Sequence, residues 1–260
     1  MKKILFLIFI GFCMPCFGSQ RKEALLLSHQ AYQSYKQGQY QTAIAQYENS
    51  LHLETSSEMR KHIYLYLGKS YESLGVLDKA IQSYEQALDY DPRNWKRHRD
   101  LGNLYEKSGI FFEALKSYKR SRELRENEGN IDLAIARIYR KLKLYSEGAY
   151  FLKISENHKD SKVEWHKENA YYLEGRGQYS AALREWESFL ITDMNDQEVT
   201  HFIYLGCLAQ DFKRAHQGLE LLKQRKIDNK TTLFYENLVE LSLLKDPSPS
   251  LIQSIVNTQK

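Results

Sequence analysis

Cysteine is nearly missing. There are three in 260 residues, Cys13 and Cys16 within the first eighteen and Cys207 alone beyond them. Such spacing excludes a disulfide-stapled fold and a cysteine-rich metal framework. Cys207 reads as a small buried residue on a helix, with a reactive thiol as the weaker alternative. Four prolines leave long stretches free to be helical. No segment alternates apolar and polar residues with the period of two that a half-buried strand needs. An excess of one charge is missing too: 37 Lys and Arg face 33 Asp and Glu, and two of the net +4 lie at Lys2 and Lys3. Without a continuous basic run carrying interleaved aromatics, nucleic acid is not an expected partner.

Catalytic constellations are missing as well. His98-Arg99-Asp100-Leu101 mimics the start of a kinase catalytic loop, but it lies inside a helical pattern and no glycine-rich loop, strand lysine or Asp-Phe-Gly accompanies it. Gly175-Arg176-Gly177 is followed by no Gly-Lys-Ser/Thr and so reads as a turn between helices. The eight histidines form neither His-Glu-x-x-His nor a zinc-spaced cluster, and a metal pair at His62 and His98 has little to recommend it. No metal, cofactor, small-molecule substrate or enzymatic activity is expected.

What is present begins with Met1-Lys2-Lys3 and a short apolar core over 4–18. Its apolar length, roughly fourteen residues, is too short to span a bilayer as a helix, and a positive start before such a core is the pattern of a secretory signal. The expectation is a signal over residues 1–18 with cleavage before Ser19, after small residues at Cys16 and Gly18; a retained anchor is the competing reading. Lipidation at Cys13 or Cys16 fits less well, because Phe12 and Pro15 precede them where a small residue belongs. Export into a bacterial periplasm or cell envelope follows.

Next comes a period. Leu77, Phe111, Tyr145 and Tyr179 recur at 34-residue intervals. Between them, small residues (Gly68, Ala80, Ala87) alternate with aromatic ones (Tyr64, Tyr71, Tyr84) at helical spacing before Pro92. Helix pairs of this kind cannot cover their own apolar faces and must stack on copies of themselves. The order Tyr64, Leu67–Gly68, Tyr71, Ala80, Tyr84, Ala87, Pro92 resembles the tetratricopeptide repeat family. Repeats fall at about 24–55, 61–94, 95–128, 129–162 and 163–196 (through Trp186 and Phe189), with a degenerate unit at 197–230. A linker at 54–58 precedes the second repeat, where Ser57 is the expected helix cap. Gly148 stands where an alanine is usual, costing about 1 kcal/mol of helix propensity. Residues 231–260 read as C-terminal capping helices, the first from Thr231 to Lys245 with Leu233, Tyr235, Leu238 and Leu241 or Leu244 inward. The resemblance implies an all-α right-handed solenoid of five to six helix pairs over 24–230.

In that family the first helix of each pair lines a concave groove through its second, fifth, ninth and twelfth places. The resemblance therefore puts His62, Leu65, Lys69 and Glu72, then Lys96, Arg99, Asn103 and Glu106, on such a face. Asn130, Leu133, Arg137 and Arg140 follow, then Glu164, Lys167, Tyr171 and Glu174. Lys69, Lys96, Arg99, Asn103, Arg137, Arg140 and Tyr171 are the candidate contacts to a protein or peptide partner, an acidic one if the cations stand free. The competing reading is a solvated helix face whose cations pair locally with Glu72 and Glu106. Chaperone-binding members hold a terminal carboxylate with basic residues on three successive helices. Arg99 and Asn103 match the start of that clamp, but Ala134, Glu164 and Glu168 do not continue it. The expected function is a non-catalytic envelope scaffold, the alternative a membrane-tethered subunit of an envelope assembly machine.

Overall fold

The computed structural model describes residues 2–53, 55–125, 129–157, 162–188, 193–245 and 248–257, with side chains from Ser19 onward except at 129, 244 and 245. Phe189 and the side chains of Cys13 and Cys16 lie outside the described residues. No strand occurs among the described residues, and the all-α class holds. Two compact units divide the chain, Met1–Asn127 and Glu128–Lys260.

The first unit contains α1 (Lys2–Lys36), α2 (Tyr40–Leu51), α3 (Ser57–Ser73), α4 (Leu77–Tyr90), α5 (Trp95–Lys107) and α6 (Phe111–Leu124), which pair in sequence as hairpins. The reason is the alternation of small and aromatic residues. Tyr84, 1% exposed, lies over Gly68, where an added Cβ would sit 3.2 Å from the ring. Tyr118 lies over Gly102 in the next hairpin, and there the same Cβ would come within 2.7 Å. The spacing of the helix axes is thus set by a glycine beneath a phenol ring, and each ring contributes about 2 kcal/mol of apolar burial. α3 starts at a cap one residue earlier than expected. The Ser56 hydroxyl, not that of Ser57, accepts from Met59 N at 3.3 Å, because Ser56 has the extended backbone (φ −71°, ψ 160°) a cap requires while Ser57 is already helical.

Each hairpin turns through one left-handed residue. Gly75 and Gly109 take φ of 73° and 74°, and their successors Val76 and Ile110 donate backward to Tyr71 O and Tyr105 O. In the second unit Lys143 takes this place with φ 60°, and Leu144 donates to Tyr139 O at 2.9 Å. The closing bonds are those that end helices generally; at Lys143 they are made without the residue suited to them.

The second unit contains α7 (Gly129–Lys141), α8 (Tyr145–Ser155), α9 (Lys162–Gly175), α10 (Tyr179–Glu187), α11 (Asp196–Leu208) and α12 (Phe212–Gln224), followed by α13 (Asn229–Lys245) and α14 (Pro249–Asn257). Trp186, Phe202, Ile203, Leu222, Leu238, Val239 and Cys207 form one buried core. Burial raises the Cys207 thiol to about 11, so it is a packed, protonated residue. α11 begins with a reciprocal cap: Asn195 Oδ1 accepts from Glu198 N at 3.0 Å and Glu198 Oε2 accepts from Asn195 N at 2.9 Å. On α13 Leu238 and Tyr235 pack inward as expected, Leu233 does not, and the Leu244 side chain lies outside the described residues. Leu233 is 56% exposed, and the buried stripe runs through Leu238, Val239 and Ser242 with Phe234 and Tyr235 beside it. Val239 takes the inward place because it lies next to Leu238 on the face turned to α11 and α12, and the helix pitch then points Leu233 out. Pro249 opens α14, where a missing N–H costs nothing.

Candidate functional site

In the first unit the candidate face belongs to α3 and α5. Lys69 Nζ stands 5.1 Å from the centre of the Tyr66 ring, which also packs against Tyr32, Tyr35 and His62. Burial lowers the His62 pKa, as do Arg97 and Lys69, against the raising effect of Glu58; the imidazole is an aromatic wall here. Trp95 collects cations: Lys96 at 5.6 Å, Arg99 at 5.5 Å and Arg125 at 4.4 Å from its ring. Lys96 is exposed and Arg99 half-exposed. Arg99 also bonds Asp100 at 2.8 Å. Asn103 is spent within its own hairpin, accepting the Tyr118 phenol at 2.7 Å.

Glu72 and Glu106 each take a phenol of their own hairpin. Glu72 binds Lys107 at 2.8 Å and accepts from Tyr84 at 3.3 Å; Glu106 accepts from Tyr118 at 3.0 Å. A second set runs between hairpins: Tyr71 donates to Glu48 at 2.7 Å and Tyr105 to Glu85 at 2.5 Å. Burial first, then the carboxylate acceptor, raises the Tyr71 phenol to about 12 and Tyr105 further in the same direction. This phenol–carboxylate ladder escaped the sequence reading. Its signal was there, since Tyr71 and Tyr105 are one repeat apart and each faces a glutamate one place after the aromatic residue of the preceding helix.

The second unit replaces the ladder with ion pairs. Arg140 of α7 pairs with Glu168 of α9, which is 5% exposed, and lies 4.5 Å from the Tyr171 ring centre. Of the candidate contacts, Arg140 and Tyr171 are thus brought together. Arg137 is half-exposed on the same helix. Lys167 joins α9 to Glu198 of α11 at 2.8 Å, and His201 joins α11 to Glu174 at 2.9 Å. Burial opposes both charges of the Lys167–Glu198 pair, yet the bond lifts the lysine pKa and lowers the glutamate's. Leu65 and Leu133, expected on the recognition face, are 9% and 5% exposed and serve as packing. No cluster of three potential metal ligands occurs among the described residues. Among them, too, no helix is long and apolar enough to cross a membrane.

Known proteins match this arrangement in fold. The family pattern described as TPR repeat matches residues 68–109. No curated protein matches the chain. A tetratricopeptide repeat protein from Parabacteroides merdae is 16% identical over 91% of this chain and 98% of its own, with a TM-score of 0.70. PilW, a type IV pilus biogenesis factor, is 16% identical over 81% of this chain and 96% of its own, with a TM-score of 0.66. The MamA protein is 15% identical over 67% and 97%, with a TM-score of 0.56.

Proposed function

From the premise that this chain is a tetratricopeptide-repeat protein, we propose that it is a non-catalytic scaffold of the bacterial cell envelope which holds a peptide or helical segment of a protein partner. The observation that carries the reading is the half-exposed face of α3 and α5, where cations lie against aromatic rings at Lys69–Tyr66 and around Trp95. Cations stacked this way keep their outer donors for an acidic segment while their stems exclude water. Arg140, bound to Glu168, holds its helices together and orients Tyr171; Arg137, half-exposed on the same helix, and the Tyr171 edge are the proposed contacts in the second unit. Export would rest on the leader at residues 1–18.

Substituting Lys96→Glu together with Arg137→Glu tests this. Pull-down from native envelope extracts with the chain lacking 1–18 as bait should lose its partner, while circular dichroism keeps its helical signal. Undiminished capture by the double variant would defeat the proposal. A membrane-tethered subunit of an envelope assembly machine is the second reading, favoured by likeness to a pilus biogenesis factor. Mass spectrometry of the mature amino terminus decides between them: diacylglyceryl-cysteine means tethered, a free Ser19 means soluble.

A further inference from the structure

The phenol–carboxylate ladder has a gap in the first hairpin. In the second and third hairpins the buried tyrosine of the second helix, Tyr84 or Tyr118, donates to a glutamate near the end of the first, Glu72 or Glu106. The equivalent tyrosine of the first hairpin is Tyr47, 0% exposed, and its hydroxyl has no hydrogen-bond partner among the described residues. The place that Glu72 and Glu106 occupy is taken in α1 by Tyr35, which packs on Tyr66 at 5.1 Å. A buried donor without an acceptor is uncommon in a folded protein and costs free energy. Glu72, which fills the same position one hairpin on, has a side chain 31% exposed. Tyr35, which holds that place in the first hairpin, is likewise half-buried, so the place opens to the surface.

Tyr32, one of the phenols close enough to act on Tyr47, also lines a cleft of about 550 Å³ between α1 and α3, together with Leu25 and Met59 and with Arg21, His29, Glu58 and His62 at its rim. Leu25 is 60% exposed. Glu58, the acidic residue that lines it, binds Lys61 at 2.7 Å. Lys69 over Tyr66 adds a cation on the same side.

We propose that this end of the first unit is a subsite for a partner segment pairing an aliphatic side chain with a carboxylate. The aliphatic group seats against Leu25 and Met59, and the carboxylate, as Tyr35 swings aside, accepts the Tyr47 phenol and so completes the ladder. The subsite rests on the scaffold reading above but is separate from Lys96 and Arg137. Complementarity is twofold: an apolar cleft with a net positive rim, and a buried donor that only an acceptor can satisfy.

The test uses the chain lacking 1–18 on immobilised twelve-residue peptides carrying Leu or Phe one to four places from Asp or Glu, with Asn/Gln and Lys counterparts. Acid–aliphatic peptides should be retained at least tenfold over their amide counterparts. Tyr47→Phe should cut that preference below twofold with its thermal midpoint unchanged or raised, since the substitution deletes an unsatisfied donor. Leu25→Ser, on the exposed surface, should weaken all apolar peptides alike. Undiminished acid preference in Tyr47→Phe, or no retention of any acid–aliphatic peptide, overturns the subsite. Retention that depends on Lys96 and Arg137 but not on Tyr47 overturns it while leaving the scaffold reading intact.

Discussion

Gly148→Ala should destabilise the second unit although alanine is the better helix former. In α8 an added Cβ would meet the Tyr172 hydroxyl oxygen at 1.6 Å, Cζ of the same ring at 2.7 Å and Tyr139 Cβ at 2.8 Å. Tyr172 cannot simply give way, because it is 3% exposed and donates to Ala136 O at 2.6 Å across the α7–α9 contact. Helix propensity favours the substitution by about 1 kcal/mol. Against it stand about 1–3 kcal/mol for forcing an extra methyl into a packed core and about 1–3 kcal/mol for a buried phenol torn from its acceptor. The net is a loss of about 1–5 kcal/mol, with overpacking and the lost bond together deciding the sign. Urea denaturation followed by far-ultraviolet circular dichroism measures it, with Gly68→Ala as the internal comparison. There the Cβ would sit 3.2 Å from the Tyr84 ring, so a few tenths of an ångström of movement suffice. A Gly148→Ala midpoint at or above that of the parent would refute the reasoning. So would an equal penalty in a Tyr172→Phe background, where the 1.6 Å contact no longer exists.

Two further substitutions probe the same architecture. Lys143→Gly should stabilise the α7–α8 hairpin by up to about 1 kcal/mol, because φ of 60° strains a side-chain-bearing residue by about 1–2 kcal/mol and glycine's greater unfolded-state freedom returns part of that; a lower denaturation midpoint would contradict the assignment. Alkaline titration should unfold the first unit through its tyrosines. The Tyr71 phenol is raised to about 12 in the folded state against 10 when free, so its contribution is complete below pH 10 and lost as pH climbs toward 12. Thermal midpoints should be flat from pH 8 to about 10 and fall above it. Tyr71→Phe should lower stability at neutral pH by about 1 kcal/mol and flatten that fall, and an unchanged alkaline slope would count against the ladder.

The helices were legible because their signals are local. Gly68 beneath Tyr84 and Gly102 beneath Tyr118 are spacings within one hairpin, and a period fixes them without knowledge of the neighbours. Gly148 was legible only as an anomaly: its cause is Tyr172, a residue of the next hairpin whose hydroxyl fills the volume an alanine would need. α13 was misread at Leu233 for a related reason, since it lies beyond the 34-residue period and repeat spacing gives no phase for it. Candidate contacts were placed by repeat position, which assigns a face but not a bonding state. Lys96 remains exposed there, while Asn103 and Arg140 are drawn into bonds with Tyr118 and Glu168 that depend on side-chain reach.

The two units use different chemistry for the same joint, and that difference bears on recognition. Between hairpins of the first unit two donors are neutral phenols, Tyr71 and Tyr105, on glutamates, beside one ion pair, Lys107 on Glu72. Between those of the second they are charged groups, Arg140 and Lys167, on Glu168 and Glu198. A phenol consumes an acceptor without cancelling its charge and leaves nearby cations uncommitted; an arginine or lysine uses its own charge in the joint. On the first unit Lys69 and Lys96 stack on Tyr66 and Trp95. Salt should therefore act on the units differently, screening exposed Lys96 strongly and the partly buried Arg140–Glu168 pair weakly. A partner held by the first unit would be released at ionic strengths that leave the second unit's joints intact.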